Sequence, residues 1–302
     1  MPLLPSAPAS RLISLVEHLA ATSGDELTAS DLAKATGINR TTCLSLLLAL
    51  EEHGWVHRRS GTKYTLGAAL IPLGEAALSG LRVVDEVQPE LDRLAVEIGM
   101  EALASTIANN ELVVIAHARG TGVLSNTVRV GQTIPFVPPF GFAHLIGAED
   151  DEIERWLDRA PRILSASERA DYRRALALAV THGYIVVLDA DSQRRFEELN
   201  RTLAERPTSR DARRQRHDLI AALTPENLVL SPRGAITAEV SQIQARVDTP
   251  DRANPLAIGI HGLPHQFDQS RIADYVALVT ASARRLTIRL GGEPRRHTAM
   301  KR

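Results

Sequence analysis

One cysteine, Cys43, stands among 302 residues. An internal disulfide and a cysteine-rich zinc site are therefore excluded, and a reducing compartment, the cytoplasm, is the expected location. The chain also lacks a charge imbalance. Its 35 Lys and Arg face 36 Asp and Glu, so no global attraction draws it to nucleic acid or to an anionic membrane, and any basic surface has to be local. No run of about 18 apolar residues occurs, which leaves nothing to span a bilayer as a helix. The first ten residues hold three prolines and no positive side chain, matching neither a secretion signal nor a transit peptide.

Catalytic signatures are missing too. There is no Gly-x-Ser-x-Gly elbow. Gly120-Thr121-Gly122 follows a strand-like run but lacks the third glycine and the helix of a dinucleotide-binding turn, so it reads as a loop. His53 and His57 are separated by the helix-stopping Gly54, and His261 and His265 by Gly262 and Pro264, so neither pair makes a metal site. An enzyme would need Ser, His and Asp drawn from separate loops, with no motif behind them. No catalytic residue, metal or cofactor is expected, and no internal repeat is evident.

What remains is an ordinary globular composition, 44% hydrophobic and 24% charged, on a chain long enough for about two domains. Leu12, Ile13, Leu15, Val16 and Leu19 recur at helical spacing over 11–19. Thr28 or Ser30 can cap a short second helix over 31–36, which Gly37 ends. A third helix over 40–53 carries Cys43, Leu46, Leu47 and Leu50 on its apolar face, and Gly54 stops it. Two short strands, 55–58 and 63–66, then flank a turn containing Gly61. Helix, short helix, turn, helix and hairpin in that order make a winged helix-turn-helix, whose third helix can enter a DNA major groove. Arg58, Arg59 and Lys63 lie on the wing, where they can meet phosphates. A winged helix that binds only protein is the alternative from another class, since fold alone does not dictate function.

Residues 67–80 read as a connecting helix, and 85–98 as a longer one that tolerates Pro89 only near its first turn. Beyond it the pattern is mixed. A hairpin is expected over 101–108 and 112–117, helices over 150–159 and 167–182, a strand over 185–188, a strand pair over 235–247 and 256–261, and a closing helix over 269–290. Residues 190–223, rich in Arg among acidic neighbours, read as an insertion of charged helices, a solvated surface or an anion or partner surface.

Taken together, Asp31-Leu32-Ala33, Gly37-Ile38-Asn39-Arg40-Thr41-Thr42, Leu46-Leu47, Leu50, Gly54 and Tyr64-Thr65-Leu66-Gly67 resemble the IclR family of bacterial transcription regulators. Pro89-Glu90-Leu91-Asp92-Arg93-Leu94, Val130-Gly131-Gln132-Thr133-Ile134-Pro135 and His182-Gly183-Tyr184 extend the resemblance, more loosely, over most of the chain outside the insertion. It implies an α+β chain with a winged helix-turn-helix over 9–66, a linker helix over 67–81 and a GAF-like effector-binding domain over 82–291, the Arg-rich insertion at about 190–223 included. It also implies a homodimer or dimer of dimers, a double-stranded DNA operator and a small-molecule effector.

By the same resemblance Arg40, Thr41, Thr42, Leu44, Ser45 and Leu48 fall on the recognition-helix surface. Leu44 and Ser45 depart from the family's usual polar residue followed by Arg, so the strongest guanine reader is missing. Leu44 and Leu48 either touch thymine methyls or pack within the domain. The family's pocket loop here reads Phe136-Val137-Pro138-Pro139-Phe140-Gly141-Phe142, which predicts either an apolar pocket for a hydrophobic or aromatic effector or a filled core. Ser241 and His261 are candidate polar anchors, and Asp189 is the nearest match to the family's acidic residue.

Overall fold

A computed structural model describes residues 6–22, 27–59, 61–80, 82–120, 128–188, 190–205, 209–223, 228–229, 240–250, 255–261 and 271–294. The chain divides into two compact units, Met1–Gly80 with Leu199–Arg214, and Leu81–Glu198 with Gln215–Arg302.

In the first unit, α1 (Ala7–Ala21), β1 (Leu27–Thr28), α2 (Ala29–Thr36), α3 (Arg40–Glu52), β2 (Val56–Arg59) and β3 (Lys63–Leu66) precede α4 (Leu70–Gly80). Thr28 and Asp31 form a reciprocal capping box at the start of α2, so Thr28 rather than Ser30 is the cap. That bond holds the Asp31 carboxyl below its ordinary range. Gly37, at φ 68°, reverses the chain in the left-handed region that an L side chain adopts only under strain. Asn39 then accepts from the Thr42 N–H at 2.8 Å and starts α3. Leu15, Leu19, Leu32, Cys43, Leu47, Leu50, Val56 and Tyr64 close one core, which accounts for Cys43 as a buried small residue. β1, β3 and β2 lie side by side in that order.

The second unit opens with α5 (Arg82–Ile98). This helix begins three residues before the sequence pattern suggests, which leaves Pro89 inside it and not near its first turn. One backbone hydrogen bond is lost there, while Val87, Leu91, Leu94 and Ala95 bury the inner face and hold the helix together. Strands β4 (Glu101–Ala108), β5 (Glu111–Ala118), β6 (Thr133–Pro135), β7 (Tyr184–Leu188), β8 (Leu228–Val229), β9 (Val240–Val247) and β10 (Leu256–His261) form one sheet in the order β6-β5-β4-β10-β9-β7-β8. Every pairing is antiparallel. Asn109 and Asn110, both at positive φ, turn β4 into β5, the backbone that a two-residue hairpin requires.

One face of the sheet carries α5 and α10 (Ile272–Arg289), with Leu91, Leu94, Ile260, Val279 and Leu286 in the shared core. Against the other face pack a 3-10 turn (Phe142–Leu145), α6 (Asp150–Leu157) and α7 (Ala166–His182), around Trp156 and Tyr172. The Arg-rich stretch folds as α8 (Ala190–Glu205) and α9 (Arg210–Ala222). The expected strand pair near the C-terminus is β9 with β10; residues 235–239 of that expectation lie outside the described residues.

Candidate DNA and effector sites

The first candidate surface follows from which side of α3 is left over once its core face is buried. Cys43, Leu47 and Leu50 point inward, and Leu44 and Leu46 are partly buried against the same core. Arg40, Thr41, Ser45 and Leu48 remain exposed, and Thr42 is half-buried. Thr41, Ser45, Leu48 and the exposed Glu52 recur at helical spacing, so they form one stripe. The two leucines therefore separate. Leu44 packs within the domain, whereas Leu48 is 57% exposed and available to an apolar contact such as a thymine methyl.

Beside α3, the wing presents its cations. Arg58 and Arg59 are exposed on β2, and Lys63 is half-buried on β3. Arg58 stands opposite Tyr64 in the ladder, with its guanidinium carbon 5.9 Å from the ring centroid, a geometry that orders the side chain.

The second candidate lies on the sheet face that bears the 3-10 turn. Phe136 and Phe142 are almost wholly buried there, with ring centroids 6.5 Å and 6.0 Å from that of Trp156, so both belong to an aromatic core. Phe140 is half-buried, its ring 4.9 Å from Phe196, and its carbonyl accepts from Trp156 Nε1 at 3.0 Å. The Ser241 hydroxyl donates to the Val187 carbonyl at 3.1 Å, beside the irregularity in β7–β9 pairing, and is thus engaged by backbone. Asp189 lies outside the described residues.

His261 is 8% exposed at the end of β10, opposite Glu101 on β4 and Gln242 on β9. His117 on β5 stands opposite Leu103, two residues along β4 from Glu101, so strand alternation puts Glu101, His117, His261 and Gln242 on one face. The Glu101 carboxyl is buried, 3.7 Å from His117 Nε2. Between this polar row and the aromatic core, β10 supplies Ala257 and Gly259; a Cβ at Gly259 would lie 2.7 Å from the Gln244 side chain, so only glycine fits beneath it.

Burial pushes His261 down to about 4, against the opposing pull of Glu101, with His117 adding to the depression. His144, in the 3-10 turn, is likewise lowered to about 4 by burial. Its Nε2 lies 2.9 Å from the Ser105 carbonyl, which requires the proton on Nε2 and leaves the buried Nδ1 without a hydrogen-bond partner. Glu101, His117 and His144 were not legible as site residues. Each sits in a strand or turn of otherwise apolar character, and only strand register brings the first two beside His261.

A winged helix-turn-helix with an exposed polar stripe on its third helix, followed among the described residues by a seven-stranded antiparallel sheet layered by helices, defines a two-module architecture. The IclR helix-turn-helix domain model matches residues 8–60. Residues 8–60 are thus an IclR helix-turn-helix domain, and the chain has the fold of IclR-family transcriptional regulators. An IclR-family regulator from Brucella abortus superposes with a TM-score of 0.66 at 16% identity, over 94% of this chain and 93% of that one. A regulator of the same type from Alicyclobacillus acidocaldarius gives 0.65 at 20% identity, over 94% and 99%. An IclR homologue from Microbacterium hydrocarbonoxydans, complexed with 4-hydroxybenzoate, gives 0.57 at 17% identity, over 93% and 99%. No curated protein is similar enough in sequence to match.

Proposed function

We propose that this chain is a non-enzymatic transcription regulator that binds a duplex operator through α3 and the wing, and whose occupancy is set by a small molecule in the second unit. The observation that carries the reading is the exposed stripe Thr41, Ser45 and Leu48 beside the cationic hairpin, in a domain that matches the IclR helix-turn-helix. α3 lies in the major groove with Thr41, Thr42 and Ser45 on base edges, Arg40 on a phosphate or base, and Arg58, Arg59 and Lys63 on phosphates. The chain acts as a homodimer or dimer of dimers in the cytoplasm, because one winged helix covers too few base pairs for operator-grade affinity.

The effector site occupies the sheet face that runs from Phe140 to His261. The complex of a structural neighbour with 4-hydroxybenzoate supports this reading, as does the buried polar row beside aromatic residues. Such a ligand controls DNA binding only if it prefers one of two arrangements of the protein. Fluorescence anisotropy with duplexes from upstream of the chain's own coding region tests the reading. Tight, salt-sensitive binding to one duplex is expected; equal weak binding to all of them would favour an interaction module instead.

A further inference from the structure

What a recognition helix can read is limited by the groups it leaves exposed. Beyond Arg40, its first residue, α3 carries no arginine or lysine, so nothing further along it offers guanine O6 and N7 a cationic donor. Thr41, Ser45, Leu48 and Ala49 are exposed, and all but Ser45 present a methyl group. More than half of Leu48 is in solvent. Glu52 extends the stripe with an acceptor, which cannot pair with the acceptors of guanine. At about 1.5 Å of rise per residue, Thr41 and Leu48 lie about 10 Å apart along the helix, close to three base-pair steps.

The wing adds no selection of its own. Arg58 and Arg59 are cations suited to phosphates, and phosphate contacts position a protein without choosing a sequence. Apart from Arg40, discrimination among bases therefore falls to hydroxyls and methyls. A hydroxyl both donates and accepts, so Ser45 satisfies the O4 acceptor of thymine as well as the N4 donor of cytosine. It cannot tell these pyrimidines apart. A methyl contact can, because in the major groove the C5-methyl marks thymine and is absent from cytosine. Cytosine methylated at C5 carries that methyl beside its N4 donor, and both suit this stripe.

We propose that α3 reads the C5-methyl groups of pyrimidines, with Leu48 as the main reader, and that it accepts 5-methylcytosine where its operator carries thymine. The inference rests on the DNA-binding reading above and names the chemistry of the duplex that α3 selects. Methylation of a cytosine at such a position raises affinity, because it supplies the group that Leu48 covers.

Fluorescence anisotropy on the full chain tests this. Selection from a pool of randomised duplexes supplies the preferred duplex. It is then remade with each thymine replaced in turn by deoxyuridine, cytosine or 5-methylcytosine, the last two paired with guanine. Deoxyuridine differs from thymidine by the methyl alone, and at the position under Leu48 it should weaken binding about fourfold, the effect of one buried methyl. Cytosine should weaken binding at least as much, and 5-methylcytosine should recover about fourfold of the loss. In Leu48→Ala, with an unaltered melting temperature verifying the fold, the preference for thymine over uracil at that position should vanish.

Uracil tolerated at every position, with sequence preference intact, overturns the inference and leaves the DNA-binding reading standing. A uracil penalty that persists undiminished in Leu48→Ala and in Thr41→Ser overturns it as well, since the methyl is then sensed by other groups. So does 5-methylcytosine that binds no better than cytosine. Equal weak binding to the whole pool, with no duplex selected, overturns the DNA-binding reading and this inference with it.

Discussion

Arg59 stands directly opposite Lys63 across the β2–β3 hairpin. Like charges in that register cost the hairpin about 0.2–1 kcal/mol, and a phosphate placed between them would reverse the sign of the effect. We therefore expect Arg59→Gln to leave the melting temperature of the free protein unchanged or slightly raised. The same substitution should weaken binding to every duplex and flatten the salt dependence by about one unit of log–log slope. Anisotropy titrations at several salt concentrations measure both quantities. An unaltered slope would remove the wing from the DNA interface.

Substitutions on the α3 stripe should behave differently. Ser45→Ala and Leu48→Ala change groups that face away from the core, so stability should move by no more than about 0.5 kcal/mol. Discrimination between operator and single-base variants should fall by about 1–3 kcal/mol at the affected position while non-specific affinity stays constant. A uniform loss over all sequences would mean that these side chains do not reach base edges.

The N-terminus of α3 depends on one amide. Asn39→Ala removes the acceptor of the Thr42 N–H and should destabilise the first unit by about 1 kcal/mol, whereas Asn39→Asp preserves the cap. Denaturant unfolding compares the two. Equal loss in both variants would show that the side-chain oxygen is not what matters.

Acid should unfold the second unit through its buried histidines. His144 and His261 titrate at about 4 in the folded chain against an ordinary value of 6.5, so between those limits the unfolded state binds more protons. Their contribution is complete above pH 6.5 and is lost as pH falls toward 4, by about 3 kcal/mol for each ring. Replacing His144 with Gln should flatten the fall in melting temperature between pH 6.5 and 4. An unchanged profile would mean that folding does not make this ring harder to protonate.

Oligomerisation has its own signature. Ile71 and Leu73 on α4 are 63% and 47% exposed, an apolar surface that a second copy of the chain would cover. Light scattering should give at least a dimer at micromolar concentration, and Ile71→Glu with Leu73→Glu should shift it toward monomer and weaken operator binding. A wild-type monomer that binds DNA one to one would contradict the dimer.

The winged helix was legible because its determinants are local. Helical periodicity, Gly37 and the short hairpin each act within a few residues, so the sequence states them directly, while the choice of Thr28 over Ser30 and the Asn39 cap came from the structure. The hairpin expected over 101–108 and 112–117 was legible for the same reason, and Asn109-Asn110 turns it. Pro89 was not, because its cost is local while the burial that outweighs it comes from the sheet core and α10.

The second unit divides along the same line. Its longer helices and strands followed from apolar patterning, while β6, β8 and the 3-10 turn did not; the Phe136–Phe142 loop was readable as apolar, either pocket or filled core, and the structure places Phe136 and Phe142 in an aromatic core around Trp156. Sequence by itself determined the order of the longer elements, the IclR-type helix-turn-helix and the exclusion of an internal disulfide. Only the tertiary structure decided that Leu44 packs inward while Leu48 faces out, and that Glu101, His117 and His261 meet on one sheet face. Cross-strand register sets that meeting between residues as much as 160 positions apart (261 − 101), and a shift of one residue would turn His261 toward the opposite face.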